Sequence, residues 1–194
     1  MELDVGHPLL LRAGGGEVVG DSAERRVEIL CDRDELHATW SRFAPGRDGA
    51  DPHVHRHHTD LFYVLAGELT VGLGPDLEEI VVPAGSLVLA PPLVVHAFRN
   101  GSATEEVRYL NFHAPGGGFA DYLRGLTPGF DSEDPPADGG RPVTDAVVVP
   151  RRTHGVLVDR DEIRIEARDE PGPRSDRLTC LYALEGGGVL QIQA

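Results

Sequence analysis

The sequence contains no lysine: its 18 basic residues are all arginines, set against 32 aspartates and glutamates, for a formal charge of -14. An acidic surface repels phosphate backbones and anionic lipid alike, so neither nucleic acid nor a membrane surface is an expected partner. No apolar run approaches the roughly 20 residues a bilayer-spanning helix needs. The opening residues show no basic region followed by an apolar stretch, so no secretory leader is expected. There are two cysteines, Cys31 and Cys180, and they form no metal-binding or redox motif. They read as small apolar residues of a cytoplasmic protein.

Glycine (24) and proline (15) are abundant and scattered between short apolar runs. That is the rhythm of many short strands joined by turns, and it predicts an all-β body. Strands are expected at 8–12, 26–31, 35–43, 61–66, 69–73, 78–82, 86–90, 94–99 and 106–113. Gly67-Glu68 and the run Leu73–Asp76 both read as tight hairpins. One short helix is expected at 117–125, where Phe119, Tyr122 and Leu123 share a face. Residues 127–142, acidic and rich in proline and glycine, read as a surface loop. Strand-like runs resume at 145–149, 155–158, 161–167, 178–184 and 188–193. Tyr182–Gly186 faintly echoes Tyr63–Gly67. The tail therefore reads either as a β extension or as a partial second copy of the first half, without its polar cluster.

Four of the nine histidines lie within six residues, His53, His55, His57 and His58, and Asp60 follows. On a strand, i and i+2 share a face, so His53 and His55 point the same way. His96, in a separate strand-like run, offers a third imidazole. Three histidine nitrogens and one carboxylate oxygen suit a divalent first-row metal. His57 and His58, beside Arg56, read as members of an exposed turn. Phe62 and Phe98 share strand parity with Asp60 and His96 and are candidate substrate contacts. Trp40 and Arg42 face one way and Phe43 the other, and the alternation alone does not say which way is inward.

The two segments together resemble the cupin family. Its first motif runs His-x-His, three or four residues, Glu, six residues, Gly. Here His53-x-His55 is followed by four residues, Asp60, six residues and Gly67. Its second motif runs Gly-x5-Pro-x-Gly-x2-His-x3-Asn; here Gly85, Pro91, Leu93, His96 and Asn100 hold those positions. The phrase at 113–124 is similar to the end of small quercetin dioxygenase-like cupins. Asp60 departs from the family glutamate. Leu93 departs from the turn glycine, which predicts a different turn, since leucine resists positive φ.

The resemblance implies a double-stranded β-helix, or jelly-roll barrel, over residues 1–126 including the helix. The loop 127–142 and a β-rich extension at 143–194 follow. It also implies a metal held by His53, His55, Asp60 and His96. The metal would be iron, manganese, nickel, copper or zinc, with Asp60 as the candidate base. The implied activity is oxygenation of a small enol or flavonol-like substrate by a homodimer. A non-oxidative isomerase, decarboxylase or hydrolase, and a non-catalytic ligand-binding barrel, are the alternatives.

Overall fold

The computed structural model describes residues 8–194 except 153, 161 and 174. Position 161 of one expected strand and the first seven residues of the expected barrel thus lie outside the described residues. The chain forms β1 (Leu9–Leu11), β2 (Glu17–Asp21), β3 (Arg25–Asp32), β4 (His37–Phe43), β5 (Thr59–Ala66), β6 (Glu68–Leu73), β7 (Glu78–Pro83), β8 (Leu87–Ala90), β9 (His96–Arg99) and β10 (Val107–Ala114). Then come α1 (Phe119–Leu123), a 3-10 turn at Val143–Asp145, β11 (Val147–Val149), β12 (Gly155–Asp159), β13 (Arg164–Arg168), β14 (Thr179–Ala183) and β15 (Val189–Gln193). β2 was not expected. Its residues are at most partly buried, so it lacks the apolar alternation that marks a half-buried strand.

The strands form three layers. A seven-stranded sheet, ordered β11-β8-β5-β10-β4-β3-β2, lies in the middle. A three-stranded sheet, β7-β6-β9, closes the jelly-roll barrel on one side. A five-stranded sheet, β1-β14-β15-β13-β12, covers the other face. The middle sheet is buried on both faces, which is why β5 and β10 read as nearly continuous apolar runs. On β5, Phe62 and Val64 pack into the barrel core with Phe43, Leu69, Val71 and Tyr109. Their neighbours Leu61 and Tyr63 point the opposite way, into a second core shared with Ile165, Cys180, Leu190 and Ile192 of the outer sheet.

The tail is thus the cover of the barrel's outer face, and it recruits β1 as a parallel partner of β14. Both cysteines are free, buried thiols of this shared core, and Cys31 Sγ donates to the Leu36 carbonyl. Trp40 belongs to the same core. Arg42 shares its face, away from the barrel interior, and donates to the carbonyls of Ser22 and Ala23.

Two turns differ from expectation. Gly67 does not make a hairpin, because β5 pairs with β8 and β10 while β6 pairs with β7 and β9. It is instead the corner where the chain passes from one sheet to the other. Its φ is +70°, and an added Cβ would meet the Glu106 carbonyl oxygen at 2.3 Å. Leu93 does adopt the left-handed conformation, with φ 67°. The Val94 N–H donates to the Pro91 carbonyl at 3.1 Å. Proline at the second turn position and positive φ at the third are the marks of a type II turn. The strained leucine is fastened on both sides: its N–H donates to the His55 carbonyl (2.7 Å), and its carbonyl accepts from Arg141 N–H (2.8 Å).

Candidate metal centre

The barrel brings together side chains that are far apart in the chain. His53 and His96 are backbone partners, each N–H donating to the other's carbonyl at 3.0 Å. His96 starts β9 in the small sheet, whereas Asp60 projects inward from β5 of the large one. The potential ligand atoms of His53, His55, Asp60 and His96 all lie within 4.8 Å of one another, and all four residues are buried.

The tautomers of the three imidazoles are set by what surrounds them. His53 Nδ1 lies 2.7 Å from the Asp51 carbonyl and His96 Nδ1 2.9 Å from the Val94 carbonyl; His55 Nδ1 pairs with the Asp131 carbonyl. A carbonyl only accepts, so each Nδ1 carries the proton and each Nε2 keeps its lone pair. His55 Nε2 and His96 Nε2 lie 3.6 and 3.3 Å from Asp60 Oδ2. The other oxygen, Oδ1, accepts from Asn111 Nδ2 and lies 3.4 Å from His113 Nε2. Two ligands about 2.1 Å from one ion are separated by roughly 3.0–3.4 Å at octahedral to tetrahedral angles. The donor types therefore suit a divalent ion, and the His96–Asp60 separation falls within that range.

A second histidine cluster, His55, His58 and His113, is equally buried. The two differ in donor set and in ring orientation. A ligating imidazole must hold the ion in its own plane along the nitrogen lone pair. In the first cluster the rings cross at 73°, 52° and 59°, so their planes can intersect at one point. In the second, His55–His58 and His58–His113 are stacked at 27° and 24°, with centroids 4.0 and 4.5 Å apart. The second cluster shares His55 with the first and offers three imidazoles without a carboxylate.

Burial alone would raise the Asp60 carboxyl; His113, His55 and His96 outweigh it and hold that group well below the usual carboxylate range. Burial, helped by repulsion from neighbouring imidazoles, lowers His37, His53 and His58 to about 3. In the unfolded chain these groups titrate at about 6.5. Between those values the unfolded state binds more protons, so stability is lost as pH falls from about 6.5 toward 3. Metal-free protein is accordingly expected to melt progressively lower below pH 6.5, by up to about 1.4 kcal/mol per pH unit for each histidine. Replacing His37, which is outside the ligand set, by His37→Phe should flatten that slope in calorimetric melts; an unchanged slope would contradict the assignment.

A cavity of about 470 Å³ opens from Asp60, His53 and His55 toward solvent. Phe43, Phe98, Phe119, Tyr122 and Phe130 supply its aromatic walls, and Thr39, Ser41 and Asn111 line it with polar groups. Phe98 faces this space. Phe62 lies behind it in the barrel core, 4.8 Å ring to ring. His57 is exposed, as expected of a turn, but His58 is fully buried under Phe130 and His113. His113, Asn111 and His37 were missed in the sequence reading. The signal was present: polar residues at every second place of an apolar strand, Asn111 and His113, mark a face turned toward a polar site.

The fold and the donor set define a jelly-roll barrel with an internal three-histidine, one-carboxylate pocket. Residues 39–113 match the cupin domain family. Over 94 residues it is 31% identical to quercetin 2,3-dioxygenase of Bacillus subtilis (strain 168); the match covers 47% of this chain and 27% of that relative's length. Among solved structures, KdgF from Halomonas sp. is 20% identical over 55% of this chain and 92% of its own, with a TM-score of 0.47. An RmlC-like cupin from Shewanella frigidimarina NCIMB 400 is 23% identical over 57% and 94%, also at 0.47. No helix among the described residues is long and apolar enough to cross a membrane.

Proposed function

We propose that this protein is a metal-dependent oxygenase of the quercetin dioxygenase-like type, acting on a small enol or flavonol-like substrate. The observation that carries the reading is the common tautomer of His53, His55 and His96, each with Nδ1 tied to a backbone carbonyl and Nε2 left to a ligand. A bound first-row metal would supply a Lewis-acidic, redox-active seat for an ionised enol oxygen. The 31% identity to a quercetin dioxygenase, over 94 residues, supports that chemistry without naming the substrate.

The chain's own residues divide the remaining work. The aromatic walls hold a planar ring and exclude water. Asp60 presents Oδ2 to the centre while Asn111 holds Oδ1. A carboxyl so far below its ordinary range is a weak proton acceptor, which favours ligation for Asp60 over the role of base. Strands from both ends of the chain pack on one middle sheet and make one barrel unit with its cover. Small cupins commonly pair, and a homodimer belongs to the same reading; light scattering from a monomer at micromolar concentration would remove it.

The decisive experiment is metal analysis of protein purified without chelator, followed by oxygen uptake against a panel of flavonols and β-diketones. Metal with oxygen consumption is the expected result. Metal without oxygen consumption would point to a non-oxidative isomerase, decarboxylase or hydrolase. Absence of metal would leave a ligand-binding barrel.

A further inference from the structure

The loop between the helix and the tail does more than connect them. Phe130 to Glu133 lie directly against the segment that carries His53 and His55. Val54 and Glu133 form a two-way backbone bridge, each N–H donating to the other's carbonyl at 3.0 Å. Arg56 and Glu133 add an ion pair at 2.5 Å. The Phe130 ring lies nearly parallel to those of His58 and His113, at 24° and 13°.

Asp131 sits at the centre of this grip. Its Oδ1 accepts from the Arg56 N–H at 3.0 Å and its Oδ2 from the His57 N–H at 2.7 Å. The same carboxylate lies 3.2 Å from His58 Nδ1. Its main-chain carbonyl is the acceptor for His55 Nδ1, and so decides which nitrogen of His55 faces the centre. The side chain thus fixes the turn that follows His55, while the backbone of the same residue fixes the His55 ring. The cupin-domain match ends at residue 113, so Asp131 is contributed by sequence beyond that match.

We infer that Asp131 is a positioning residue of the metal centre: its carboxylate anchors residues 130–133 to the 56–57 backbone so that its carbonyl can orient His55. The inference rests on the metal-binding reading above. Partners that orient a ligating histidine typically contribute about 10- to 100-fold to metal affinity. Without the carboxylate anchor, the carbonyl should no longer hold His55 in one orientation.

The test uses the full-length protein stripped of metal and titrated with cobalt(II), whose visible absorption reports the ligand geometry. Wild type should bind cobalt(II) stoichiometrically. Asp131→Ala should bind about 10- to 100-fold more weakly, with an altered spectrum, while its metal-free circular dichroism stays that of wild type. Asp131→Asn keeps one acceptor oxygen but turns an amide N–H toward the second main-chain donor. It should lose less affinity than Asp131→Ala, yet measurably, and it carries the test alone if the alanine variant does not fold. Wild-type affinity and spectrum in either folded variant would overturn the role assigned to Asp131 while leaving the metal site intact. Failure of wild type itself to bind cobalt(II) would overturn the metal-binding reading, and the role of Asp131 with it.

Discussion

His96→Ala is expected to abolish stoichiometric metal binding, weakening affinity by more than the roughly 100-fold that even an outer orienting partner can contribute. In the proposed site His96 joins the two sheets: its backbone bridges to His53 and its Nε2 faces Asp60 on the opposite wall. Without it, two imidazoles and a carboxylate remain, and water must replace the third nitrogen. Metal present at 100 times its dissociation constant stabilises the folded state by about 2.7 kcal/mol. At about 2–4 °C per kcal/mol for a chain of this size, the variant should lose roughly 5–10 °C of metal-dependent melting temperature. Mass-spectrometric metal content and paired melts with and without chelator check this. His57→Ala, altering an exposed ring, should retain the metal. Equal metal loss in both variants would show that the ligands are misassigned.

Ile192→Ala should lower stability by about 2–5 kcal/mol, although it lies in β15 of the outer sheet, outside the histidine clusters. Ile192 is fully buried between the outer sheet and the outer face of the barrel sheet, in one cluster with Leu61, Leu110 and Phe112. Truncating it opens a cavity that flanking strands on both sides cannot readily fill. The expected drop in melting temperature is roughly 4–20 °C, in one cooperative transition. Val148→Ala, at a half-exposed position of β11, should change stability by less than about 0.5 kcal/mol. A wild-type melt for Ile192→Ala, or a separate early transition, would mean that the outer sheet folds independently of the barrel.

Most strands were legible because apolar runs of four to eight residues bounded by glycine and proline have few other uses. The pairing of those strands was not. Gly67 separates two runs as a hairpin turn would, and only the pairing of β5 and β6 with different sheets shows that it is a corner. At Leu93, local sterics argue for a changed turn. A hydrogen bond to the His55 carbonyl and one from the Arg141 N–H nevertheless hold the backbone at positive φ, an instance of tertiary contacts overriding a local preference. His58 reads as exposed from its charged and polar neighbours, yet loop residues that follow it by some seventy positions bury it.

By itself the sequence determined the all-β class, because alternation along a strand is a local property, and it offered His53, His55, Asp60 and His96 as candidate ligands through their spacing. The tertiary structure decided which nitrogen of each imidazole faces inward, how two histidine clusters come to lie side by side, and what covers the barrel. Those depend on carbonyls, ring planes and apolar faces brought together from distant parts of the chain, and contacts of that kind leave no periodic trace in the order of residues.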